Sequence, residues 1–293
     1  MFAIIGIVVV FGAIIAGYMM EKGSLLVLLQ PAELIIIGGA ALGTLLIANP
    51  LHIIKAMASG VLGTLKSSPF GKVRYLNTLK MMFELLNKVR KEGLLSVEND
   101  MEKPKESAIF RKYPEFLKDQ HVQEFVCDTL RMAITGGVEP FDMDQMMERD
   151  MEVQHHGEAA PISALTTVAD ALPGLGIVAA VLGVVITMGA IGGPPEEVGH
   201  KVAAALVGTF LGILLCYGLV GPISANMAKT ADAQDEYLGV LRVLILAFLK
   251  GHAPIIAIEM GRRAIPAHVR PSFIEMERAC KGGGTTAAEA EAA

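Results

Sequence analysis

Thr44, Thr187, Thr209, Cys216 and Tyr217 are hydroxyl and thiol groups set inside the longest apolar runs of this 293-residue chain, and no Asp, Glu, Lys, Arg or His lies in those runs. Neutral groups of this kind can line a wet path, but they cannot store a proton near neutral pH. A proton route through these runs would therefore need a carboxylate supplied by another molecule. Covalent chemistry is not expected. The runs hold no His for a Ser/His pair, and His155 and His156 are adjacent in a polar segment, which is not ligand spacing on one helix face. Neither an enzymatic centre, a metal nor a cofactor is read from the sequence.

The elements that must position these groups are the runs themselves, at 2–20, 34–49, 172–191 and 202–220. Each is about the length that a helix rising about 1.5 Å per residue needs to cross a hydrocarbon core of about 30 Å. The hydrophobic share of 53% and mean hydropathy of +0.50 exceed what a soluble core needs, and 19% charged residues leave room for an aqueous part. The first run has no basic segment ahead of it and no small-residue cleavage site behind it, so it is expected to be a retained span. Cys127, Cys216 and Cys280 show no disulfide or zinc spacing and are read as free thiols. The net charge of −5, with no basic stripe among aromatics, argues against nucleic-acid binding.

Basic residues set the expected orientation. The first link carries Lys22 with Glu21 and Glu33 at its edges, and the 192–201 link carries Glu196 and Glu197. Lys55, Lys66, Lys72 and Arg74 follow the second run, and Lys229, Arg242, Lys250, Arg262 and Arg263 follow the fourth. This is the positive-inside pattern, with both termini and both long polar segments cytoplasmic. Between the second and third runs, Leu76, Leu79, Phe83, Leu86 and Val89 recur at helical spacing after the Ser67-Ser68-Pro69 break and stop at Gly93. A second helix is predicted from an Asp119 N-cap to Gly136-Gly137, a third from near Phe141 into the third span, and a fourth over about 232–250.

Gly39 with Gly43, Ala179 with Gly183, and Ala204, Gly208 and Gly212 repeat at four-residue spacing, which lets membrane helices approach closely within one chain or between copies. Pro173 is predicted to open the third span and Pro222 to close the fourth, where proline is tolerated. The expected fold is an all-α integral membrane protein with four transmembrane helices and a helical cytoplasmic domain inserted between the second and third. The parts are spans one and two with their link at 1–50, the inserted domain at 51–170, spans three and four at 171–222, a C-terminal helical region at 223–281 and a disordered tail at 282–293.

The runs Pro173-Gly174-Leu175-Gly176-Ile177-Val178-Ala179-Ala180-Val181 and Val207-Gly208-Thr209-Phe210-Leu211-Gly212-Ile213-Leu214, with Arg270-Pro271-Ser272-Phe273-Ile274-Glu275, resemble the MotA family of flagellar motor stator subunits, within the MotA/TolQ/ExbB proton channels. The resemblance implies an inner-membrane subunit, five copies of which ring two MotB chains whose membrane aspartate carries the proton, and which pushes on the rotor protein FliG. By that resemblance Arg90, Glu98 and Asp150 face the rotor; Pro173 and Pro222 couple proton transfer to movement. Thr209 and Tyr217 face the channel, Ala180 marks proton-driven members, and Asp170 stands at the pore mouth. Read as residues alone, the three charges equally suit a solvated helix surface. The alternative is an ExbB/TolQ-type energiser of outer-membrane processes, which has one span rather than two before its cytoplasmic region.

Overall fold

The computed structural model describes residues 2–66, 69–189 and 191–282, and the described residues form helices and turns with no strand. The Ala/Glu-rich tail after Gly282 and the Ser67-Ser68 part of the expected break lie outside the described residues. The helices are α1 (Phe2–Met20), α2 (Leu25–Leu28), α3 (Pro31–Ala48), α4 (Leu51–Thr64), α5 (Lys72–Glu92), α6 (Glu98–Glu102), α7 (Pro114–Lys118), α8 (Gln120–Thr135), α9 (Pro140–Met188), α10 (Pro195–Leu215), α11 (Gly221–Leu249), α12 (Pro254–Ala264) and α13 (Phe273–Cys280). By length and apolarity four helical stretches can cross a membrane: Phe2–Met20, Leu25–Ala48, Pro140–Met188 and Pro195–Leu249. The chain divides into two units, Met1–Ser67 with Gly157–Thr230 and Ser68–His156 with Ala231–Ala293.

The second unit is a helical core whose ends follow local signals. Gly93 stops α5 at φ +87°, a conformation that side chains rarely adopt. The Asp119 carboxylate accepts the Val122 N–H at 3.2 Å and starts α8, and Gly136 and Gly137, both at positive φ, end it. The apolar face of α5, with Leu79, Met82, Leu85 and Leu86 at most 1% exposed, packs with Phe110, Val126, Leu130, Leu241 and Ile258. Each such side chain contributes on the order of 1.5–3 kcal/mol by leaving water. Arg74 is buried among them because Asp119 neutralises it and the rings of Phe70 and Tyr237 lie 4.6 and 4.8 Å from its guanidinium carbon.

The first unit departs from the sequence reading at both prolines. Pro173 lies inside the 49-residue α9, and Pro222 lies inside one continuous 55-residue helix, Pro195–Leu249, so neither marks a helix end. Residues Cys216–Val220 form a wide π turn, closed by the Gly221 N–H on the Cys216 carbonyl. A proline lacks an N–H and crowds the carbonyl four residues back, so a widened turn just ahead of Pro222 relieves that clash. The helix predicted over 232–250 is thus the continuation of the fourth span. The 14-residue α4, absent from the sequence reading, packs close to α11: a side chain at Gly60 would meet Met227.

Candidate functional site

The expected functional residues divide between the two units, with Arg90, Glu98 and Asp150 in the second and the others in the first. In the second unit Arg90 lies in the last turn of α5 and Glu98 begins α6, with Gly93 and the single 3-10 turn Leu94–Val97 between the two helices. Both charges are exposed. They are not paired with each other: the ion pair that closes this corner joins Lys88 Nζ to Asp100 Oδ2 at 2.7 Å, above the buried Val97 and Met101. Arg90 and Glu98 therefore project from a fixed corner beside Leu95, which is 71% exposed. Asp150 is exposed on α9.

In the first unit α9 and α10 meet at backbone distance. A Cβ on Gly176 would stand 2.7 Å from the Gly208 carbonyl oxygen, one on Gly183 2.7 Å from the Ala205 Cβ, and one on Gly212 2.6 Å from the Leu172 carbonyl oxygen. The small residues of α9 and α10 thus make a close crossing, whereas Gly39 and Gly43 of α3 have open space. Ala169 and Leu172, on the turn before Pro173, share one buried cluster with Cys216, the first residue of the π turn, and with Ile37, Ala41 and Ala179. The turn before Pro173 and the π turn before Pro222 are therefore joined through one apolar cluster.

The polar groups sort by what satisfies them. Thr44 and Thr187 donate to carbonyls of their own helices at 2.9 and 2.8 Å. Thr209 has no hydrogen bond among the described residues and is partly exposed, as is Ala180, while Tyr217 is 72% exposed. Leu206, Thr209, Ile213 and Tyr217 recur along one open stripe, on which Leu206 and Ile213 are 65% and 47% exposed. Asp170 is exposed on α9. One turn before it Thr166 Oγ1 lies 2.7 Å from Ser224 Oγ, which also donates to the Ile162 carbonyl at 3.2 Å. This hydroxyl pair ties α9 to α11 two residues past Pro222, and nothing in either local sequence signals it.

The inventory of ionisable groups among the spans needs a correction. Counted from Leu34, the second span excluded Glu33, but the helix starts at Pro31 and holds Glu33 in its first turn. Glu33 is only 6% exposed, and its Oε2 lies where a Cβ on Gly208 would be 2.6 Å away. A carboxyl group thus stands at the level of the apolar residues of the fourth span. Proline followed two residues later by an acid is the local signal for a helix start that would have found it.

Residues 4–93 match the model of the Motility protein A N-terminal family, and residues 117–237 match that of the MotA/TolQ/ExbB proton channel family. The chain is similar to Motility protein A of Escherichia coli (strain K12), 38% identical over 277 residues that cover 94% of each chain. Among solved structures it is similar to C. jejuni MotAB, at TM-score 0.77 and 18% identity over 92% of this chain and 98% of that one. It is also similar to the flagellar MotAB stator complex from Bacillus subtilis, at TM-score 0.70 and 24% identity over 88% and 92%.

Proposed function

This chain belongs to the MotA/TolQ/ExbB proton channel family and is a flagellar stator subunit, and from that premise we propose that it converts proton flow, carried on the membrane aspartate of a MotB partner, into torque on the rotor protein FliG. The observation that carries this reading is the open stripe along α10 and the π turn that follows it. Leu206, Thr209, Ile213 and Tyr217 are left uncovered by the chain itself, and the stripe offers a hydroxyl and a phenol but no acid. A partner helix bearing one carboxyl group would complete it. The unburied face of α1 and the open space at Gly39 and Gly43 suit packing against further copies of the chain, five around two MotB chains, in an inner membrane with both termini cytoplasmic.

The energy scale suits such a device. One elementary charge crossing about 100 mV releases roughly 2.3 kcal/mol. That is comparable to the destabilisation that a proline brings to a helix interior, about 3 kcal/mol. Protonation and release on the partner would change contacts at Thr209 and Ala180. Pro173, Pro222 and the π turn would let α9 and α10 yield there, and Asp170 would stand at the exit. Arg90, Glu98 and Asp150 would meet the rotor. An exposed ion pair is worth only about 0.2–1 kcal/mol, so these contacts steer rather than hold.

Deleting the gene tests the reading. Flagellated but paralysed cells, restored by the gene in trans, are the expected result. Normal swimming with lost outer-membrane uptake would select an ExbB/TolQ-type energiser instead, although the two spans that precede the inserted domain here already speak against it.

A further inference from the structure

Among the described residues two side-chain oxygens are sealed from solvent without a hydrogen-bond partner, Glu33 Oε2 and Asp235 Oδ1; Asp235 lies in the second unit and meets His155 through its other oxygen, so the one among the apolar runs is that of Glu33. A buried acceptor left without a donor costs about 1–3 kcal/mol, and an ionisable group at membrane depth marks a function more often than a packing role. The position matters as much as the burial. A Cβ on Gly208 would stand 2.6 Å from Glu33 Oε2, 3.2 Å from the Ala179 Cβ and 3.2 Å from the Ala180 backbone nitrogen. Gly208 is thus the hollow in which the carboxyl group is seated, at the crossing of α9 and α10, and its neighbour in the chain is Thr209 on the open stripe.

A structural role fits poorly. Glu33 is the third residue of α3, from which an acid can reach back to cap the helix, but the Gln30 N–H goes to the Leu28 carbonyl at 3.2 Å and the helix start has no side-chain cap. The side chain instead turns onto α10. Within the first unit the charged groups of the two helices packed against it are Glu196, Glu197, His200 and Lys201 of α10 and Glu158 and Asp170 of α9. None of them bonds to or pairs with Glu33; Lys201 pairs with Glu197 at 2.9 Å.

We propose that Glu33 is a proton-relay group supplied by this chain, taking a proton from a hydronium ion onto its carboxylate oxygen and passing it along the Gly208–Thr209 side of α10 to the partner's carboxylate. This rests on the stator reading. The relay is pure proton transfer: an O–H bond forms at Glu33 as one breaks in a hydronium ion, leaving water, and the Glu33 O–H bond then breaks as one forms on the partner's carboxylate, which returns Glu33 to its carboxylate form.

The test uses the full chain with its MotB partner in cells lacking their own stator. It reads proton influx with a cytoplasmic pH dye, swimming speed, and recovery of the complex on an affinity-tagged MotB. Glu33→Gln keeps the shape against Gly208 but cannot carry a proton, and Glu33→Asp keeps the acid. The expected result is that Glu33→Gln loses roughly tenfold or more of the influx with the complex recovered normally, and that Glu33→Asp retains several times the influx of Glu33→Gln. Wild-type influx in Glu33→Gln overturns the relay, as does an Asp variant no better than Gln. Loss of the complex in Glu33→Gln also overturns it, because it assigns the side chain to packing. A wild-type complex that carries no proton influx sinks the stator reading itself, and the relay with it.

Discussion

The Leu172 carbonyl oxygen lies 2.6 Å from where a Cβ on Gly212 would stand, so the backbone of α9 one residue before Pro173 rests directly on the backbone of α10. The same α10 carries the hollow for Glu33 one turn earlier and runs into the π turn one turn later. Glycine is needed there for closeness, since even one methyl group would have to displace backbone rather than a flexible side chain.

Gly212→Ala should therefore push α9 and α10 apart. Overpacking of this kind costs about 1–3 kcal/mol. The expected outcome is a lower melting temperature of the detergent-solubilised complex together with reduced swimming. Gly39→Ala, whose Cβ meets open space in this chain, should leave the isolated subunit's stability unchanged. Equal effects of the two substitutions would contradict the packing described.

Pro222→Ala removes the cause assigned to the π turn. With a donor restored and the ring gone, Cys216–Val220 should tighten to ordinary α geometry, turning the rest of the helix relative to α10. Torque should fall steeply while MotB still co-purifies. A motor of normal speed in this variant would remove the turn from the mechanism.

Arg90→Glu should leave stability within about 0.5 kcal/mol, because the side chain is exposed and the corner is held by Lys88, Asp100 and Val97. Torque in tethered cells should drop, and a reversed charge on the rotor should restore part of it. No restoration by any rotor charge would count against direct contact.

Glu259 gives the second unit an acid-sensitive joint. Arg262 holds its two carboxylate oxygens at 2.7 and 2.8 Å and Arg263 adds a bond at 2.8 Å, which pulls the carboxyl from its ordinary 4.5 to about 2. The folded value lies below the unfolded one, so this stabilisation is fully present above about pH 4.5 and is lost as pH falls toward 2. Glu259→Gln should lower the melting temperature at pH 7, with the gap to wild type closing below about pH 3. A gap independent of pH would show that the ion pairs contribute nothing.

What the sequence made legible follows from how local each signal is. The ends of α5 and α8 were readable because Gly93, Asp119 and Gly136 act through their own backbone and immediate neighbours. The close crossing of α9 and α10 was readable as spacing at Ala179, Gly183, Gly208 and Gly212. Glu33 was not, because a rule that excludes charge from a span trims the helix at Leu34, and the hollow that admits the carboxyl lies in another helix. The prolines were misplaced for a related reason: local preference puts proline at helix ends, whereas a π turn and tertiary packing accommodate Pro222 mid-helix. The Thr166–Ser224 pair joins residues 58 apart, beyond any local pattern.

Reconstitution into liposomes under an imposed membrane potential, with proton uptake followed by a trapped pH dye, separates what this chain supplies from what its partner supplies. The expected result is uptake when the chain and MotB are reconstituted together and none from the chain alone, because its open stripe bears no acid of its own. Sustained proton uptake by the chain alone would contradict the division of labour between the two subunits.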